Sequence, residues 1–204
     1  MKTFLIIFFS FTLTFLSFPQ TEDDDNVQFG FGVSLSKDLS VYSSRVGELE
    51  IETLPIDLAN ISFIIKGTFF RIEPSVGYHT MSIEFSNAGI TYERSSSNTR
   101  LGAVVAFNNE PIESMNLYYG IGFGFILDNA SFTSTDTDES QDDSKTDFFI
   151  GPAVGGEYMF NRYFSLGGEV NLNYISIGNY EYDGDISTWA ISTRGLIFLR
   201  WYVN

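Results

Sequence analysis

The chain has no cysteine, one histidine and only five prolines, and its 204 residues carry 11 basic against 26 acidic side chains. The missing cysteines exclude a disulfide scaffold, thiol catalysis and thiolate zinc sites. A single histidine excludes multi-histidine metal centres. A net charge of −15 leaves no basic surface of the kind that nucleic-acid binding needs, so no nucleic-acid partner is expected. Charged residues make up only 18% of the chain, which argues against disorder despite the acidity, and the length suits one domain. Against these shortages stand 21 Phe, 11 Tyr and 18 Gly. An acidic chain rich in both aromatics and glycine needs a fold that uses each.

Part of the phenylalanine has a simple origin. Lys2 precedes an apolar run from Phe4 to Phe18 with nothing more polar than Ser and Thr. A basic start and about 15 apolar residues match a secretory signal rather than a membrane span. Pro19 and Gln20 end the run, and Glu22, Asp23, Asp24 and Asp25 follow. We expect a signal peptide over 1–20, cut within about 17–21, an acidic tail over 21–26, and one domain over 27–204.

Beyond the leader the period is two. In Met115–Asp128 one parity reads Met115, Leu117, Tyr119, Ile121, Phe123, Phe125, Leu127, and the other Asn116, Tyr118, Gly120, Gly122, Gly124, Ile126, Asp128. That pattern predicts a strand with one apolar face and one small or polar face; a helix would be weakened by every glycine. The alternation recurs through Val27–Leu35, Phe70–Tyr78, Leu101–Phe107, Phe148–Phe160, Phe164–Tyr174 and Trp189–Trp201. In Leu54–Ile65 the apolar parity switches, which predicts a bulge near Ala59–Asn60. The sum is eight strands. Connections near 66–68, 108–114 and 161–163 are short, whereas 37–50, 86–98, 133–147 and 180–187 read as long polar loops. Short turns alternating with long loops predict an antiparallel up-and-down transmembrane β-barrel, all-β, with both termini at the short-turn end.

A soluble barrel also alternates, with its apolar row inside. Three features favour the inverse. The polar row is rich in Gly, which suits a narrow interior. It carries both charge signs, with Arg71, Arg100, Arg194 and Arg200 beside Glu73, Glu157 and Glu169, so an enclosed salt-bridge network is expected. Glu157 and Arg194 are one candidate pair within it. Aromatics close the apolar rows: Phe70, Phe107, Phe160, Phe164 and Trp201 at the turn end, and Tyr78, Tyr174 and Trp189 at the loop end. These predict two interfacial girdles.

From Val27 to Asn204 the chain resembles the small eight-stranded outer-membrane β-barrels of the OmpA/OmpX-like family. The segment Phe70-Arg71-Ile72-Glu73-Pro74-Ser75-Val76-Gly77-Tyr78 is similar to the third-strand motif of these barrels, and Ile150-Gly151-Pro152-Ala153-Val154-Gly155 is a weaker echo. Each Pro forfeits one ladder hydrogen bond, which a bulge would help accommodate. Trp189–Val203 resembles the family's C-terminal assembly signal but ends on Tyr202-Val203-Asn204 instead of a final aromatic. The resemblance implies the outer membrane of a Gram-negative bacterium, with loops extracellular and termini periplasmic. Implied partners are membrane lipid, lipopolysaccharide and the outer-membrane insertion machinery.

The remaining candidates are few. His79 lies near the loop end of its strand with Ser82 close by, and some small barrels are lipid A-modifying enzymes that pair His and Ser. A polar residue filling the barrel mouth is the plainer account. Asp136, Asp138, Glu139, Asp142, Asp143 and Asp147 space oxygens like a calcium loop, but Gln141 replaces the turn glycine, so a weak divalent-cation loop is the most that is expected. Tyr180 and Tyr182 sit among acids in the last loop, a composition suited to ligand contact. The sequence thus predicts a non-enzymatic, cofactor-free, envelope-stabilising barrel whose acidic loops mediate adhesion or ligand binding. A lipid A-modifying enzyme and a narrow channel for small hydrophobic compounds are the alternatives.

Overall fold

The computed structural model describes residues 27–43, 49–53, 57–87, 90–112, 114–134, 140–177 and 188–203. The expected leader and acidic tail at 1–26 lie outside the described residues, as does the last-loop pair Tyr180 and Tyr182. The strands are β1 (Gln28–Ser43), β2 (Leu49–Thr53), β3 (Asp57–Lys66), β4 (Phe70–Asn87), β5 (Ile90–Ile112), β6 (Met115–Ser134), β7 (Ser140–Asn161), β8 (Phe164–Ile177) and β9 (Thr188–Val203). Both β2 and β3 pair with β1, so together they fill one position of the sheet. From β3 onward each strand pairs antiparallel with the next, and β9 returns to β1 from Phe29↔Val203 to Ser43↔Trp189. The result is an eight-position barrel closed by β9 against β1, which removes most of the unpaired backbone that an open sheet would expose; the short β2 pairs with β1 alone.

Alternation decides what faces where. On β6, Leu117, Tyr119, Ile121, Phe123 and Phe125 are exposed while Asn116, Tyr118, Gly122, Gly124 and Ile126 are buried. The same holds on β9, where Ile191, Ile197, Leu199 and Trp201 point out and Ser192, Arg194, Arg200 and Tyr202 point in. Apolar side chains cover the outside, and the inside is mainly polar with two small apolar clusters around Phe149 and Phe198, the reverse of a soluble barrel. In water such an exterior would forfeit about 1.5–3 kcal/mol for each large apolar side chain left exposed.

The parity switch is a bulge one residue earlier than expected. Ser34 pairs with Asn60 and Ser36 with Asp57, so Leu58 and Ala59 oppose Leu35 alone. The extra residue turns Ile61 and Phe63 outward and Asn60 and Ser62 inward. The prolines, in contrast, need no bulge. Beside Pro74 the β3–β4 ladder runs Ser62↔Ser75 then Ile65↔Ile72, and beside Pro152 the β7–β8 ladder runs Ile150↔Tyr174 then Ala153↔Asn171. Each ladder opens locally and resumes in the same register.

Inward glycines make room for large inward side chains. A Cβ at Gly155 would fall on the Tyr118 ring, and one at Gly102 would lie 2.9 Å from Phe149 Cζ. The short β3–β4, β5–β6 and β7–β8 connections share the end at which Gln28 pairs with Lys66 and Phe29 with Val203. At the other end the strands run well past the expected loop boundaries. Pairing continues to Ser43↔Leu49, Asn87↔Ile90 and Thr133↔Ser140. Apolar alternation stops at the end of the outward apolar row, but backbone pairing does not depend on side-chain polarity.

Candidate functional site: the ion-paired lumen

Two clusters of charged side chains cross the lumen. The first lies at the turn end around Glu157, which β7 projects inward. Glu157 Oε1 accepts from Arg71 Nη2 and from Asn116 Nδ2 at 2.9 Å. Its Oε2 accepts from Ser165 Oγ at 2.9 Å, Arg200 Nη1 at 3.2 Å and the Tyr202 hydroxyl at 2.7 Å. Arg200 Nη2 also reaches Glu73 Oε2 at 2.5 Å, and the Tyr118 hydroxyl donates to Glu169 Oε2 at 2.7 Å. Guanidiniums stack on rings here, Arg71 over Tyr118 at 4.3 Å and Arg200 over Phe198 at 3.5 Å.

The second cluster lies toward the loop end around Asp38. Arg100 Nη1 stands 3.3 Å from Asp38 Oδ2 and Arg194 Nε 3.6 Å from Oδ1. Arg194 Nη2 donates to Ser36 Oγ at 2.8 Å and Asn60 Oδ1 at 2.9 Å, while Arg100 lies 3.9 Å over the Phe149 ring. Beyond it, Lys145 lies 3.6 Å from Asp128 and 3.3 Å from Asp147. Between the clusters lies a polar cavity with about 40 Å³ of space for water centres, lined in part by Glu73, Glu169, Arg100, Arg194 and Asn60. That is room for about three waters.

All seven expected interior residues therefore face the lumen and are buried. Their partners differ from expectation. Glu157 and Arg194 belong to separate clusters. Glu169 has no ion pair among the described contacts and is held by Tyr118 and by Asn171 Nδ2 at 2.8 Å. Asp38 supplies the fourth carboxylate, so Arg71, Arg100, Arg194 and Arg200 face Asp38, Glu73, Glu157 and Glu169. The signal for Asp38 was the inward parity Gly30, Gly32, Ser34, Ser36, Asp38, hidden by ending the strand at Leu35. Tyr118 and Tyr202 were visible on the inward parity, but nothing marked their hydroxyls as partners of Glu169 and Glu157.

The acidic-loop expectation is corrected. Asp142, Asp143 and Asp147 lie on β7, not in a loop, and Asp147 is buried against Lys145. An extended strand cannot wrap its oxygens around one ion as a twelve-residue loop does. Asp136, Asp138 and Glu139 lie outside the described residues. Among the described residues no group of three or more His, Asp or Glu is placed to hold a metal ion. His79 and Ser82 have opposite strand parity, His79 partly buried and Ser82 exposed, so they do not form a catalytic pair.

The expected aromatics are all outward. At the turn end Phe31 stacks on Trp201 with centroids 5.5 Å apart, Trp201 meets Phe164 at 5.3 Å, Phe164 stacks on Phe160 at 5.5 Å, and Phe160 meets Tyr158 at 5.4 Å. Phe107 pairs with Tyr119 at 6.1 Å and Phe70 is exposed. At the loop end Tyr174 stacks on Trp189 at 6.2 Å, Phe125 meets Phe148 at 5.6 Å, and Tyr78 is exposed.

No protein-family model and no curated protein sequence matches the chain. Solved structures do. Ail, the attachment invasion locus protein of Yersinia pestis, crystallised with the heparin analogue sucrose octasulfate, superposes with a TM-score of 0.55 at 13% identity, covering 87% of this chain and 99% of Ail. A second crystal structure of Ail gives 0.52 at 10% identity over the same shares. A major outer membrane protein of Thermus thermophilus gives 0.50 at 13% identity, covering 82% of this chain and 99% of that one. Closed antiparallel topology, outward apolar rows and these superpositions together give the chain the fold of the small eight-stranded outer-membrane β-barrels.

Proposed function

We propose that the protein is a non-enzymatic barrel of a Gram-negative outer membrane, exported by a leader at 1–20, with a lumen sealed by its two ion-paired clusters. The observation that carries this reading is the inverted barrel: an apolar exterior between two sets of outward aromatics, around a buried interior whose two clusters hold four guanidiniums and four carboxylates. The aromatics at each end would anchor the barrel at the two membrane surfaces. On this reading the short turns and both termini are periplasmic and the strand extensions extracellular. The insertion machinery would read the final strand, where Trp201 and Val203 face out and Tyr202 is committed to Glu157.

Sealing follows from the clusters. Nine inward side chains from β4, β6, β7, β8 and β9 meet around Glu157 and Arg200. We expect planar bilayers holding the wild-type protein to show no single-channel steps; regular steps would favour a channel instead. The separation of His79 and Ser82 supports a non-enzymatic role. Incubation with lipid A should leave its acyl chains unchanged, and acyl loss abolished by His79→Ala would establish an enzyme. The extracellular ends are acidic, so a sulfated polyanion such as the ligand crystallised with Ail is a poor fit. A basic surface on a host or neighbouring cell is the partner that charge complementarity favours.

A further inference from the structure

Lys37 is out of place on this surface. β1 alternates, with Phe31, Val33, Leu35 and Lys37 exposed and Gly30, Gly32, Ser36 and Asp38 buried. Between the two sets of outward aromatics it is the one charged side chain on the exterior among the described residues. It makes no hydrogen bond or ion pair with another described residue, and no outward carboxylate answers it among them. Phe31, six residues back, stacks on Trp201 in the turn-end aromatics. With about 3.3 Å per residue and a tilt near 40°, Lys37 stands roughly 15 Å above them in an apolar band about 25 Å tall. From there a lysine stem is long enough to carry its ammonium toward the nearer, loop-end surface.

The surface beside it is notched. Lys37 pairs with Gly195 of β9, and Gly195 pairs on its other side with Val170 of β8. A Cβ placed at Gly195 would have nothing within 4 Å. The next outward residue toward the loop end is Thr193, a hydroxyl, and Gly168 opposes Ile197. The dip is thus bounded by Leu35, Val170 and Ile197, open at its floor, and headed by an ammonium and a hydroxyl. A second copy of the chain would bring lysine against lysine in a two-fold contact, so the anion must come from elsewhere.

We propose that Lys37 and the Gly195 notch bind lipid A, with one acyl chain in the dip and a glucosamine phosphate accepting from Lys37 Nζ and the Thr193 hydroxyl. This rests on the outer-membrane reading with the loop end outward, because that leaflet supplies the phosphorylated glucosamine lipid. The test is native mass spectrometry of the full chain in detergent with added bisphosphorylated lipid A, dephosphorylated lipid A or phosphatidylglycerol. Wild type should hold one bisphosphorylated lipid A. Lys37→Leu should lower that occupancy about tenfold, Lys37→Arg should keep it, and Gly195→Leu should lower it several-fold with the charge intact. Lys37→Leu only adds apolar surface to an apolar face, so it should still fold and show the same heat-modifiable migration. Equal occupancy in wild type and Lys37→Leu would overturn the proposal. So would phosphatidylglycerol or dephosphorylated lipid A binding as well as the bisphosphorylated form, or a wild-type dimer that Lys37→Leu dissolves. Any of these, with heat-modifiable migration retained, leaves the outer-membrane reading standing; loss of membrane fractionation in wild type removes both.

Discussion

The two charged clusters of the lumen are built to different standards. At the turn end, both oxygens of Glu157 are saturated by two guanidiniums, a phenol, a hydroxyl and an amide, mostly within 3.0 Å. Toward the loop end, Asp38 is shared by two guanidiniums at 3.3 and 3.6 Å, and Arg194 also donates to neutral Ser36 and Asn60. The contrast shows how a narrow barrel tolerates buried charge. At the turn end the two oxygens of Glu157 meet five donors; toward the loop end, beside a small cavity, the ion pairs of Asp38 are longer. On the proposed reading the turn-end cluster is the seal, and the loop-end cluster is the more adjustable region.

The sharpest way to break this contrast is Glu157→Leu, which leaves Arg71 without a carboxylate partner and should cost about 3–5 kcal/mol in reversible unfolding from detergent or vesicles. The double change Arg71→Met with Glu157→Leu should be less damaging than the sum of the singles, since it removes both buried charges. Additive losses would mean the pair is not coupled. Next comes Asp38→Asn, expected to cost about 1–3 kcal/mol because water in the adjacent cavity can solvate the freed guanidiniums. A loss matching that of Glu157→Leu would erase the distinction between the clusters. The smallest effects belong outside. Trp201→Ala removes two ring contacts and should cost about 1–2 kcal/mol, and Ser144→Ala, exposed on the strand extension, should stay within about 0.5 kcal/mol.

Much of this was legible in the sequence because the barrel imposes a two-residue period over its whole length. The strand number, the inward charged residues and the outward aromatics follow from that period alone. The bulge at Leu58–Ala59 was legible because a phase change in apolar residues cannot be accommodated otherwise. Pairing was not legible. Arg200 on β9 meets Glu73 on β4 across the lumen, a contact set by strand tilt and stagger, which leave no mark in either strand. Asp38, Lys37 and Asp147 were misplaced for a single reason. Strand ends were judged from apolar alternation, whereas ladder pairing runs on through Ser-, Thr- and Asp-rich segments. The lysine that marks the exterior notch stands where composition alone predicts the first residue of a loop.

The central claim is that these apolar rows face lipid around a sealed, ion-paired lumen. Cell fractionation followed by electrophoresis of unheated and boiled samples tests it most directly. The account predicts recovery in the outer-membrane fraction, extraction only with detergent, and a band whose migration shifts on boiling as the barrel unfolds. Recovery in the soluble fraction with a single, heat-independent band would contradict it.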